Sequence, residues 1–118
     1  SGCILDLIYH LGADSLFQLN QVFGDRTLTW ETLHQRFEAE GGDLKAALKL
    51  AEEGYQTLRQ KLNSLTDSEL SERRKTASGR EITAERFFVM LIEHHIYHAG
   101  QINYIRGLLS TNKEPISE

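Results

Sequence analysis

The fold is decided by one polar stretch inside a helical pattern, Glu93-His94-His95-Ile96-Tyr97-His98-Ala99-Gly100-Gln101. Reading outward from it, residues recur at alternating spacings of four and three, which is typical of a bundle helix that turns one side toward a core. This seam contains Phe87, Leu91, His94, His98, Gln101, Ile105 and Leu108. Two imidazoles and an amide thus occupy positions where leucine would be the ordinary residue.

His94 and His98 lie four residues apart, so their side chains leave the same face of the helix. A polar group on a buried face costs about a few kcal/mol unless a partner satisfies it. Histidines at this spacing can both bind one metal ion, as on the zinc helix of metalloproteases. They can also be core histidines that a hydrogen bond satisfies, and the spacing alone leaves both interpretations open.

Composition limits the class of protein. The 118 residues suit a single domain, 1–118, whose lone Cys3 cannot form an internal disulfide. We find no secretory signal and no apolar run near the roughly 20 residues of a membrane helix. We therefore expect a cytoplasmic protein without a membrane partner. The net charge of -4, and a basic cluster at 73–75 without aromatic residues, argue against nucleic acid as a partner.

Helices are predicted along the first half of the chain, at 3–23, at 30–37 after an N-cap at Thr29, and after an N-cap at Asp43. The last of these has a predicted core seam at Leu44, Leu48, Ala51, Tyr55, Leu58, Leu62 and Leu65. The apolar spacing is helical almost throughout, which predicts an all-α protein.

In the second half, the capping-box pattern at 66–69 predicts a helical turn. A polar loop is expected over 72–82, then a third long helix over 83–109 that Thr83 caps, and a frayed tail over 110–118. Three long helices and a short one make an up-and-down bundle, with helices crossing at roughly 20°.

A third histidine extends the candidate metal site. His10 lies on the first helix between Leu7 and Phe17, so packing of this helix on the third one can bring its imidazole toward His94 and His98. Three histidines with an open position are typical of a catalytic site, because a closed structural zinc site has four protein ligands.

The motif His94-x-x-x-His98-x-Gly100-Gln101 resembles the signature of the DinB/YfiT-like superfamily of metal-binding four-helix bundles. The upstream segment 6–13, which contains His10, resembles the family's first ligand segment, and the resemblance covers about 4–109. It implies that His10, His94 and His98 bind one divalent ion, nickel or zinc, completed by water. Gln101 would then brace a ligand or the water, or form a hydrogen bond between helices.

The chain departs from the family in two places. Many members have a bulky basic residue where this chain has Ala99. The family's first helix also has no counterpart, and the chain opens at Ser1 inside a helical pattern. We expect either an N-terminal truncation of a longer protein or a homodimer that closes the bundle.

The resemblance implies a metal-dependent thiol S-transferase or hydrolase that acts on a small-molecule thiol or electrophile. Asp14, one turn after His10, is a candidate for handling protons or orienting the imidazole, or else lies on a solvated helix face. Tyr55, Tyr97 and Tyr104 are candidate hydrogen-bond donors to a substrate, or else ordinary core tyrosines. The competing function is a non-catalytic module for metal binding or helix-mediated dimerisation.

Overall fold

A computed structural model describes the backbone of residues 2–113 and the side chains of 4–98, 100, 101, 103, 104, 106 and 107. In this part of the chain the helices are α1 (Gly2–Phe23), α2 (Trp30–Ala39), α3 (Leu44–Ser64), α4 (Asp67–Leu70) and α5 (Ala84–Lys113). A small hairpin, β1 (Arg73–Lys75) and β2 (Glu81–Thr83), lies between α4 and α5. The predicted all-α helical bundle is therefore confirmed.

Helix starts follow the predicted caps. The Thr29 side chain accepts a hydrogen bond from the Thr32 amide, and Asp43 accepts one from the Ala46 amide, each at 3.0 Å. The capping box at 66–69 is complete, and the Thr83 hydroxyl accepts from the Arg86 amide. Helix α5 continues past its predicted end at 109 to Lys113, while the rest of the predicted frayed tail, 114–118, lies outside the described residues.

The predicted loop over 72–82 is wrong, because most of it forms the antiparallel hairpin β1–β2, with Arg74 opposite Ile82. The strands have only three residues each and β1 is entirely basic, so neither shows a recognisable alternation. Burial of Ile82 against Phe87 and Phe88 anchors the hairpin on the core.

Helix α1 contacts both α3 and α5, and its approach to α3 is close enough to require glycine. A Cβ atom at Gly12 would lie 2.5 Å from backbone atoms of Leu50 and Ala51. A Cβ atom at Gly54 would lie 2.9 Å from the carbonyl oxygen of Gly12. The two backbones therefore meet at a contact built from small residues.

This contact overturns the predicted seam in the first half of α3. The side chains there that face the core are Ala46, Ala47, Leu50 and Gly54, whereas Leu44, Leu48 and Tyr55 are about 50 % exposed. The prediction followed the large apolar residues, but the close approach selects the small ones. The seam is right only near the end of α3, where Leu58 is buried and Leu62 and Leu65 are partly buried.

The largest buried cluster places the ligand helix. It joins α1, α3, β2 and α5 through Leu19, Val22, Leu58, Ile82, Phe87, Phe88 and Leu91. His94 follows Leu91 by three residues, so this cluster fixes α5 immediately before its histidines. Within residues 2–113, no helix combines the length and the apolar character needed to cross a membrane.

Candidate metal centre

The structure brings together three histidines that are far apart in sequence. Helix α1 carries His10, and α5 carries His94 and His98. Each offers one ring nitrogen, and these nitrogens all lie within 4.8 Å of one another. His98 is buried, His94 is half-buried and His10 is exposed, so the set is open on the His10 side.

Gln101 orients His98. The Nδ1 atom of His98 donates to the Oε1 atom of Gln101 at 2.7 Å. Because the proton of the neutral ring is then on Nδ1, Nε2 presents its lone pair. That Nε2 atom lies 2.9 Å from Nε2 of His94. The predicted contact between Gln101 and a candidate ligand is therefore present.

The spacing of these nitrogens fits a shared ion. Two nitrogens that each bind a tetrahedral zinc ion at about 2.0–2.1 Å stand about 3.3 Å apart, a few tenths of an ångström more than the 2.9 Å between His94 and His98. A hydrogen-bonded pair of imidazoles has similar spacing. His10 adds a third ring nitrogen within 4.8 Å of the other two, so the three together could hold one metal ion.

Trp30 holds the His10 imidazole. The two rings are stacked, with centroids 5.4 Å apart and planes 7° apart. Phe17 packs in turn against the Trp30 ring, with ring centroids 5.0 Å apart. The indole at the start of α2 thus restricts His10, a role that the helical periodicity of α2 did not indicate.

Asp14 lies beside one of the three histidines, His94. It is buried, and its Oδ2 atom is 3.6 Å from Nε2 of His94, the nitrogen that faces His98. Its Oδ1 atom accepts a hydrogen bond from the Gln18 amide at 3.3 Å. The carboxylate therefore lies beside the His94 nitrogen that faces the other histidines, and not beside the opposite ring nitrogen, Nδ1.

Sequence analysis missed one link between the ligand helices. The Ser15 hydroxyl, which is fully buried on α1, forms a short hydrogen bond with Nε2 of His95 on α5. Burial lowers the pKa of His95, and the negative charge of Asp14 opposes this shift. The only sequence signals were a serine beside Asp14 and a second histidine beside His94.

Two of the three histidines, His10 and His94, line a cavity of about 460 Å³. His10, Asp14 and His94 line it on one side, and the hairpin residues Arg80 and Ile82 line it on another. Its volume is in the range of small-molecule sites, about 300–1,000 Å³. Sequence analysis missed the hairpin residues because they fall in the predicted loop.

The candidate tyrosines do not line the cavity. Among the residues that the structure describes, the lining of this cavity includes neither Tyr55 nor Tyr97 nor Tyr104. Tyr55 is half-exposed on α3, and Tyr97 and Tyr104 are more exposed still. The Tyr97 hydroxyl accepts a long hydrogen bond of 3.5 Å from Gln101. The structure thus brings Asp14 and Gln101 to the histidines, and it places the Tyr97 ring against His98, with centroids 5.7 Å apart, but outside the cavity lining.

Comparison with known proteins gives one family. A search of curated proteins finds no match. The family model of the DinB superfamily matches residues 4–102, which include all three histidines and Gln101. Because the match spans most of the chain, from α1 well into α5, this chain belongs to the DinB superfamily.

Proposed function

We propose that this protein is a divalent-metal-dependent enzyme, a thiol S-transferase or a hydrolase. His10, His94 and His98 would hold the ion, and the carrying observation is the convergence of their nitrogens beside a cavity of substrate size. A bound divalent ion would supply Lewis acidity, which lowers the pKa of a coordinated water or thiol and so provides a nucleophile near pH 7.

Other residues of the chain would accept a proton, orient a ligand and exclude water. The Asp14 carboxylate, 3.6 Å from Nε2 of His94, can accept a proton at the front of the site. Gln101 holds His98 in the tautomer that binds a metal. The apolar wall of the cavity, which includes Phe87 and Leu91, excludes water from one side of a bound substrate.

The donor set supports nickel or zinc as the ion. Imidazole ligands suit zinc, copper, iron and nickel, and availability decides among metals of similar affinity. The family resemblance favours nickel or zinc among these.

Turnover can be tested with zinc-loaded and nickel-loaded protein. Bromobimane with a small thiol reports S-transfer, and p-nitrophenyl acetate reports hydrolysis. We expect one of these activities in metal-loaded protein and its loss on chelation. Asp14→Asn should lower the rate about 10²-fold or more while metal content is kept, as expected for loss of a general base. A rate equal to that of free metal ion in both assays would count against catalysis.

A second candidate is a non-catalytic module for helix-mediated homodimerisation. The observation in its favour is the apolar surface that a single chain leaves exposed on Leu44, Leu48 and Tyr55 of α3. Helix α5 adds Ile96, which is 66 % exposed. The three α3 side chains share one helix face, and exposed apolar surface of this kind is typical of association sites.

A further inference from the structure

We infer that the cavity binds a substrate whose apolar segment ends in an anionic group, and that Arg80 recognises this group. The inference rests on the proposed function, since it assigns the substrate class of the same site. Its basis is one juxtaposition: His10, His94 and Arg80 line one cavity, and apolar side chains line it with them.

The hairpin that carries Arg80 is fixed in place. A guanidinium nitrogen of Arg26, in the loop after α1, donates to the Lys75 carbonyl at 2.8 Å. Arg74 lies over the Phe23 ring of α1 at 4.5 Å. The turn is closed by a hydrogen bond from the Thr76 amide to the Arg80 carbonyl at 2.8 Å. The backbone of Arg80 is thus held beside the cavity rather than on a free loop.

The Arg80 side chain is available for a ligand. Among the side chains that the structure describes, its guanidinium has no hydrogen bond and no ion pair, and Arg80 is part of the cavity lining. The neighbouring arginines differ: Arg74 pairs with Glu72 at 3.7 Å, and Arg73 donates to the Glu81 carbonyl at 3.5 Å. Neither of them lines the cavity.

The apolar residues of the cavity lining are the reason to expect an apolar segment in the substrate. Ile82, Phe87, Met90 and Leu91 form an apolar wall of the cavity. The one acidic residue in the described lining is Asp14, which is already engaged with Gln18 and lies close to His94. Arg80 is the one lysine or arginine in the described lining.

Chemistry favours a carboxylate or phosphate as the anionic group. The planar guanidinium donates two parallel hydrogen bonds to such groups, which a neutral amide cannot accept in the same way. Because Arg80 is exposed, solvent screening reduces the gain. We expect a preference of about fivefold to tenfold for an anionic over a neutral ligand.

The test uses matched ligands on metal-free and on zinc-loaded protein. Hexanoate and hexanamide are titrated into metal-free protein at pH 8, where an ordinary imidazole is uncharged, and binding is followed by NMR. 6-Mercaptohexanoate and 6-mercaptohexanamide are titrated into zinc-loaded protein, where the thiol is common to both. Wild type, Arg80→Gln and Arg80→Lys are compared with Lys75→Gln, which removes a charge from the same hairpin but outside the cavity lining.

The expected result is a fivefold to tenfold preference for the carboxylate in wild type and Lys75→Gln. Arg80→Lys should retain part of it and Arg80→Gln should lose it. Equal affinity for both ligands in wild type, or an undiminished preference in Arg80→Gln, would overturn the inference. Failure to take up zinc would instead contradict the proposed function, while the metal-free titration would still decide the role of Arg80.

Discussion

Gln101 holds His98 in one tautomer: the Nδ1 atom of His98 donates to the Gln101 amide oxygen at 2.7 Å, which leaves Nε2 free toward His94. Supporting partners of this kind set ligand orientation and basicity. We therefore predict that Gln101→Ala weakens zinc binding about 10-fold to 100-fold. Asn103→Ala, an exposed position on the same helix, is the control and should leave the Kd unchanged. Equal Kd values for the two variants, from competition with a chromophoric chelator, would assign Gln101 only to helix packing.

Gly12 should be intolerant of any side chain. A Cβ atom there would lie 2.5 Å from the Leu50 backbone, so α1 and α3 must separate. We expect Gly12→Ala to lower the free energy of unfolding by about 1–3 kcal/mol in urea denaturation.

Gly100 provides the matched substitution. A glycine in a helix can mark a close approach by a neighbouring element, but at Gly100 no described atom outside its own stretch of helix lies within 4 Å of an added Cβ atom. Gly100→Ala should therefore raise the free energy of unfolding by up to about 1 kcal/mol through helix propensity. Destabilisation comparable with that of Gly12→Ala would show that a neighbour packs against Gly100.

Acid should weaken the loop between α1 and α2 through Asp25. Its Oδ1 atom accepts from the Thr27 hydroxyl, the Asn20 amide and the Thr27 backbone amide, which lower the pKa of Asp25 from 3.8 to about 2. Because the folded state binds this proton more weakly than the unfolded state, the stabilisation is present above about pH 4 and is lost as the pH falls toward 2. Asp25→Asn should have a smaller loss of stability over this interval in urea titrations. Parallel pH profiles for wild type and variant would contradict the assignment.

The exposed apolar side chains of α3 predict association in solution. We expect a dimer of two 13.5 kDa chains in analytical ultracentrifugation at micromolar concentration. Leu48→Glu replaces an apolar side chain that is 51 % exposed with a charged one and should shift the protein toward monomer. Gln60→Glu, on another side of α3, is the control. A monomeric wild type would contradict both the homodimer and the second candidate function.

The sequence was sufficient to predict features that depend on local chemistry. Caps at Thr29, Asp43, Thr66 and Thr83 set helix starts because each uses atoms within a few residues. The distant histidines were recognised because the motif on α5 and the segment around His10 both resemble one family.

Features that depend on tertiary packing could not be read in this way. The buried face of α3 depends on the close approach of Gly12 and Gly54, which competes with the larger apolar residues. The stacking of Trp30 on His10 and the bond between Ser15 and His95 join elements that only the folded chain brings together. The hairpin is held by long-range contacts of Arg26 and Ile82. Its strands have only three residues each, which is too short for a periodic signal.

Metal content tests the central claim most directly. Untagged protein, purified without metal-affinity chromatography, is analysed by inductively coupled plasma mass spectrometry beside His98→Ala and His34→Ala. His34 is the control because its side chain is 61 % exposed, lies 3.5 Å from Glu38 and is not part of the three-histidine cluster. We predict close to one equivalent of nickel or zinc per chain in wild type and His34→Ala, and almost none in His98→Ala. Wild-type protein that contains no divalent metal, and takes up none from a nickel or zinc solution, would contradict the account.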